Sequence, residues 1–131
     1  MKITEKAYAM MFVGQVVGAE LSPPRPDERA WVAVHTRVRA RIQVGDDHVE
    51  SETNYGGVGS PIFRVIRFDI NASAVENPTY DYDQHMTHVQ RATIAGADDF
   101  DDAIGRLEAL LESWGVDPSK LGPLSDDYPV F

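Results

Sequence analysis

The chain contains no cysteine, which excludes a disulfide framework, a thiolate metal site and a cysteine nucleophile. It also lacks any apolar run near the ~18 residues that a membrane-spanning helix needs. Its opening residues do not predict a signal peptide, because Glu5 comes early and the apolar run after it is short. These absences predict a soluble, cytoplasmic protein without a membrane partner, and a virion location is the alternative.

Basic residues are scarce as well, since 12 lysines and arginines stand against 21 aspartates and glutamates and give a net charge of −9. Direct nucleic-acid binding is therefore not expected, because phosphate contacts need a positive surface. The acidity leaves open an inhibitor or DNA mimic that acts on a nucleic-acid-binding protein. Its candidate surface is the cluster Asp98, Asp99, Asp101 and Asp102, which helix capping explains more simply.

The clearest pattern that is present is an alternation of residue types between Trp31 and Val44. Apolar or small side chains occupy every second position from Val32 onward, whereas His35 and three arginines lie among the positions between them. Successive side chains of a strand point to opposite faces. The stretch is therefore predicted to be one strand with an apolar face and a basic face.

A hairpin is predicted to follow this strand, with Gly45 and Asp46 as its two-residue loop. In that register apolar or small residues face each other, and arginine twice faces glutamate. Opposite charges across a ladder contribute roughly 0.2–1 kcal/mol each, and a one-residue slip would lose them. The predicted pairs are Ile42 with Val49, Arg41 with Glu50, Ala40 with Ser51, Arg39 with Glu52, Val38 with Thr53, and Arg37 with Asn54.

The remaining elements complete an α+β fold: an antiparallel sheet of about five strands with one long C-terminal helix packed on one face. We predict strands over 7–21, where a helix is the rival, over 62–70 and over 85–95, and a helix over 98–114. Residues 1–120 are expected to form a single domain, and 121–131 a C-terminal tail. The predicted core is Val32, Val34, Val38, Ile42, Ile66, Phe68, Phe100, Ile104, Leu107 and Leu111.

The densest set of possible metal ligands lies before the last predicted strand. Carboxylate and imidazole ligands can hold Zn²⁺ or another divalent ion and activate a water molecule. Neither strand nor helix geometry places all of these side chains together, so a polar loop is the simpler interpretation. No cofactor is therefore expected, with a divalent metal such as zinc as the alternative. The candidate ligands are Asp81, Asp83, His85 and His88.

The second candidate site is the basic face of the long strand. Because Glu50 and Glu52 are predicted to neutralise two of its arginines, the part left to bind a ligand or partner is Trp31, His35 and Arg37. Apolar residues near the free C-terminus are candidates for binding a partner or a second copy of the chain. They include Tyr128 and Phe131.

These patterns favour a non-enzymatic protein-interaction or assembly module that acts through a protein partner or self-association, such as a phage or accessory structural component. One helix covers only one face of such a sheet, and apolar residues exposed on the other face would need a partner. The rival hypotheses are a small metal-dependent or ligand-binding enzyme that uses the Asp81–His88 cluster, and the acidic inhibitor or DNA mimic.

Overall fold

The computed structural model describes residues 1–56, 59–76 and 85–129, with the side chains of 40–42 left out. Within these residues the protein is an α+β domain with a five-stranded antiparallel sheet and a C-terminal helix, as the sequence predicts. None of its helices in the described residues is long and apolar enough to cross a membrane. The elements are α1 Glu5–Phe12, β1 Val17–Leu21, β2 Glu28–Val44, β3 Asp47–Asn54, β4 Pro61–Asn71, α2 Ala72–Glu76, β5 Met86–Ile94 and α3 Phe100–Ser113.

Strand β2 organises the sheet because three other strands pair with it. On one side, β4 follows residues 28–38 of β2, and β5 pairs with the outer edge of β4. On the other side, β1 pairs with residues 30–34 and β3 pairs with residues 37–44. Beyond residue 38, β2 therefore pairs with β3 alone among the described strands, and the two form a ribbon that extends past β1 and β4.

The predicted hairpin register is confirmed pair by pair along the backbone. Arg37 Nη1 donates to Asn54 Oδ1 at 2.7 Å, and Arg39 pairs with Glu52 at 3.6 Å. Glu52 also accepts from the guanidinium of Arg64 on β4, at 3.0 Å for the longer of two contacts. The side chains of Arg41 and Ile42 lie outside the described residues, so their predicted contacts are not tested.

The strand predicted over 7–21 is wrong in its first half, where the chain forms helix α1. The Thr4 hydroxyl caps this helix by accepting from Ala7 N at 3.2 Å. Ala7 and Met11, four residues apart, are buried on one face. Both strand faces of this run carry apolar residues, so periodicity alone could not distinguish helix from strand. Only Val17–Leu21 is a strand.

Helix α3 forms where the apolar stripe predicts it, and its first-turn acids have structural partners. Asp99 caps the helix by accepting from Asp102 N at 2.7 Å. Asp102 accepts from Asp98 N at 3.0 Å and pairs with Arg106 at 3.1 Å. Asp101 accepts a hydrogen bond from the Tyr8 hydroxyl at 2.7 Å. Capping and packing therefore account for the cluster proposed as a DNA-mimicking surface.

The sheet has a buried cluster on each face. The larger one lies between the sheet and helices α1 and α3, and seven of the ten predicted core residues are buried in the two clusters. Val38 and Ile66 are partly buried and pack against them. The smaller cluster, on the opposite face, consists of Trp31, Phe68, Ile70 and Ala74 with partly buried neighbours that include Tyr128.

Residues 121–128 run along the edge of the sheet at β1, and Tyr128 then packs on its second face. Gly122 and Gly18 exchange two backbone hydrogen bonds, both of 2.9 Å, and Leu121 is buried. Farther along, Asp127 pairs at 3.3 Å with Arg29, whose guanidinium lies 4.7 Å from the Trp31 ring centroid. The tail and α2 thus cover apolar surface that the sequence left in need of a partner. Phe131 lies outside the described residues.

Candidate metal centre

Two carboxylates from distant parts of the chain meet at one end of the sheet. Glu28 is the first residue of β2, and Asp69 lies near the end of β4. Ala30 pairs with Asp69 across the two strands. Cross-strand partners share a face, and so do residues two apart on one strand. Glu28 and Asp69 therefore point to the same face, which is the face that carries α3.

A β-bulge places an imidazole beside these carboxylates. Arg67 pairs with Gln90, but Asp69 pairs with Thr87, so two β5 residues, His88 and Val89, oppose the single β4 residue between them. His88 has a φ of 51°, in the left-handed region that non-glycine residues rarely adopt. Its Nδ1 lies 3.1 Å from Asp69 Oδ2. The bulge thus fixes an aspartate–histidine pair.

One donor atom each from Glu28, Asp69 and His88 lies within 4.8 Å of the other two. Asp69 is only 6% exposed. Oε2 of Glu28 is fully buried and has no hydrogen-bond partner among the described residues. Burying an unpaired carboxylate oxygen is unfavourable, because it loses its hydration without replacement. A bound cation would supply the missing partner.

Two carboxylate oxygens and one imidazole nitrogen form a donor set for a divalent transition metal. Imidazole suits zinc and iron, and carboxylate suits manganese and magnesium, so Zn²⁺ and Mn²⁺ fit the mixture best. Metal–ligand bonds of about 2.0–2.2 Å require only a small inward movement of side chains at this spacing. Three protein ligands also leave coordination positions open, which is typical of catalytic rather than structural centres.

A cavity of about 800 Å³ adjoins the pair of Asp69 and His88. The Arg67 side chain crosses it toward α3, where Nη1 donates to the Trp114 carbonyl at the end of the helix. The volume of the cavity is within the range of small-molecule binding sites. Loop 22–27, β4, β5 and the end of α3 contribute its lining, which is Ser22, Pro24, Arg25, Arg67, Asp69, His88, Val89, Gln90, Ser113 and Trp114.

Of the two proposed ligands that the structure describes, His85 and His88, only His88 belongs to this cluster. His85 is exposed and precedes β5, and it is not part of the described cluster. Asp81 and Asp83 lie outside the described residues. The sheet register also brings in two carboxylates that sequence proximity does not suggest, Asp69 and Glu28, which lie 19 and 60 positions away from His88. One signal was available: Asp69 is a lone acid within the apolar strand 65–70.

The second proposed site lies on the opposite face of the sheet. His35 and Tyr128 line one cavity of about 340 Å³, with Arg64 and Arg91 nearby. Trp31 does not line it, because its ring is 1% exposed and packs between Phe68 and Tyr128. It is therefore not available to stack on a ligand.

The titration of His35 reflects this environment. Burial lowers its pKa below 6.5, and the neighbouring positive charge of Arg37 lowers it further. A neutral imidazole contributes no charge to anion binding at neutral pH. The positive charges that line this cavity are therefore those of Arg64 and Arg91. Of these, Arg64 is already paired with Glu52. These observations make the second cavity the weaker candidate.

In comparisons with protein-family models, with curated proteins and with solved structures, the chain matched nothing.

Proposed function

We propose that the protein is a small metal-dependent enzyme whose divalent metal is held by Glu28, Asp69 and His88. The observation that carries this proposal is the convergence of one donor atom from each of these side chains within 4.8 Å. One of the three side chains, Glu28, also has a buried carboxylate oxygen without a partner in the described residues. Asp69 and His88 line the adjoining cavity, so a ligand in the cavity would be able to reach the metal. A metal there would polarise a bound ligand and lower the pKa of bound water to about 7, so the reaction class is metal-assisted hydrolysis.

Metal binding is tested by titrating the metal-free protein with Zn²⁺ or Mn²⁺ and measuring stoichiometry and thermal stability. We expect one ion per chain. At a concentration 100 times Kd the ion would add about 2.7 kcal/mol to the free energy of unfolding. With an unfolding entropy of about 2.1 cal/mol/K per residue, Tm would rise by about 10 °C.

Two histidines provide a matched pair of variants. His88→Ala should abolish stoichiometric binding and the rise in Tm. His85→Ala should leave both unchanged, since His85 is exposed and lies outside the cluster. Binding that survives His88→Ala, or no stoichiometric metal in the wild type, would refute the proposal.

Glu28→Gln separates metal binding from folding. It removes a ligand charge and keeps the shape of the side chain. Because Oε2 is buried without a partner in the described residues, the metal-free variant should be as stable as the wild type or more stable, by up to about 1 kcal/mol. It should nevertheless lose metal binding. A large loss of stability without metal would mean that the carboxylate has a structural partner.

Protein interaction through self-association is a second candidate, and the β2–β3 ribbon supports it. Residues 39–44 of β2 pair with β3 alone in the described structure. By the register Val44 and Val49 lie on one face of this ribbon, where they are 58% and 49% exposed. A free strand edge with exposed valines is suited to pairing with a second copy. Sedimentation should then detect a dimer that Val49→Lys dissociates, and a monomer at high concentration would refute this candidate.

A further inference from the structure

The cavity beside the candidate metal centre carries positive charge in an acidic protein. Arg25 and Arg67 line it, together with the Gln90 amide and the hydroxyls of Ser22 and Ser113. The chain as a whole has a net charge of −9. The two arginines thus make the cavity locally positive although the protein is negatively charged overall, which favours a negatively charged ligand.

The positions of the two arginines suit a ligand that bridges them and the metal. Arg67 lies two residues before Asp69 on β4, so both side chains are on the same face of the sheet. Its hydrogen bond to the Trp114 carbonyl uses one guanidinium N–H, and a guanidinium has five. Arg25 belongs to the proline-rich loop 22–27 and is exposed. It has no ion pair within the described part of the chain.

The charge count selects the ligand class. Glu28 and Asp69 contribute −2, and a divalent metal with a neutral imidazole brings the centre to zero. Arg25 and Arg67 then leave a charge of +2 at the cavity. A phosphate monoester, which is close to a dianion at neutral pH, balances this charge, whereas a simple carboxylate leaves half of it. Arginine also matches phosphate oxygens in a bidentate geometry.

On the basis of the proposed metal centre, we infer that its ligand is a phosphate monoester, with the phosphate held between the metal and the guanidinium groups of Arg25 and Arg67. The organic group of the ester then occupies the remainder of the cavity, toward Val89 and the Trp114 end of α3.

The inference is tested with phenyl phosphate as the probe and calorimetry as the measurement, on protein loaded with Mn²⁺. Phenyl phosphate should bind the loaded protein at least tenfold more tightly than the metal-free protein, and at least tenfold more tightly than benzoate does. Arg25→Gln and Arg67→Gln should each weaken its binding about ten- to hundredfold, which is the usual effect of losing one charged hydrogen bond.

Arg91→Gln is the matched control. Arg91 lies on β5 next to Gln90 but lines the cavity on the opposite face, so this variant should bind phenyl phosphate as the wild type does. Arg25 is exposed on a loop, so Arg25→Gln is expected to fold even if Arg67→Gln does not.

The test separates failure of the inference from failure of the metal proposal. If one Mn²⁺ binds but phenyl phosphate binds no better than benzoate, or if Arg25→Gln has no effect, the phosphate assignment is overturned and the metal centre stands. If no Mn²⁺ binds, the metal centre itself is overturned, and the phosphate assignment with it.

Discussion

Replacing Gly105 tests whether this position in helix α3 needs a glycine, through the effect on the free energy of unfolding. It lies in the middle of helix α3, and it is exposed. A Cβ added there meets no atom within 4 Å beyond the helix itself. Close contact with the sheet therefore does not explain this glycine. No packing in the described structure requires a glycine, so Gly105→Ala should stabilise the protein.

The expected gain follows from helix propensity. Glycine in a helix interior is about 1 kcal/mol less favourable than alanine, because it loses more backbone freedom on folding. For 131 residues, an unfolding entropy of about 2.1 cal/mol/K per residue corresponds to about 0.28 kcal/mol/K. Gly105→Ala should therefore raise Tm by about 3–4 °C and shift the urea midpoint upward without changing the m value.

Gly115 provides a control, because the same substitution to alanine should lower the stability there instead of raising it. It follows the end of α3 with a φ of 73°, and its N–H donates to the Glu112 carbonyl at 3.0 Å. An added Cβ has open space here too. The left-handed conformation disfavours any side chain by about 1–2 kcal/mol, however. Gly115→Ala should therefore lower Tm by about 4–7 °C.

Both variants are measured by urea and thermal unfolding monitored by circular dichroism. The reasoning is refuted if Gly105→Ala destabilises the protein, since the position would then have a contact that the structure lacks. It is equally refuted if the two variants have the same effect. Backbone conformation would then not be what distinguishes these glycines.

Three further predictions concern the sheet. Gly18→Ala should cost at least about 2–3 kcal/mol in urea unfolding, because its Cβ would overlap the Val32 carbonyl and the Leu124 side chain; a neutral result would mean that residues 121–128 do not dock as described. Thr36→Val should stabilise the protein by up to about 1 kcal/mol, since the buried hydroxyl has no partner in the described residues; lower stability would reveal a hidden hydrogen bond. The His35 imidazole should titrate below pH 6.5 by NMR, and Arg37→Gln should raise its pKa only partly, because burial is the larger cause. Since the unfolded chain binds this proton more readily, His35 should make stability fall as the pH drops through about 6.5, and a His35→Gln variant should lose that component.

The parts of the fold that the sequence predicts are those encoded over short distances. The alternation along β2 and the arginine–glutamate pairs set the hairpin register, and the apolar stripe with its aspartate cap set α3. Helix α1 is only the rival interpretation of its stretch in the sequence, because apolar residues occur on both strand faces there. The position of Trp31 at the head of a basic strand face predicts an accessible ring, but Tyr128, nearly a hundred positions later, packs against it.

The candidate site could not be predicted in the same way. His88 was identified because it is a plausible ligand by type, but its partners depend on the pairing of β5 with β4. That pairing contains a bulge, and no glycine or proline in strand β5 marks it. Asp69 could have been noticed as an acid in an apolar strand. Glu28 has no such signal, since it follows a polar loop and begins a strand.

Several described residues depart from ordinary folding rules, and most of them lie at the candidate metal centre. His88 is the only non-glycine residue with a positive φ in the described ranges. Glu28 and Thr36 have the only buried side-chain atoms without a partner in those ranges. Asp69 is the only charged residue there that is buried. Each departure costs on the order of 1–3 kcal/mol in a domain whose net stability is on the order of 10 kcal/mol. Thr36 lies apart from the others, whereas the other three departures involve the side chains whose donor atoms lie within 4.8 Å of one another. A cation bound there would offset the burial of the Glu28 and Asp69 carboxylates and would use the geometry that the bulge imposes on His88.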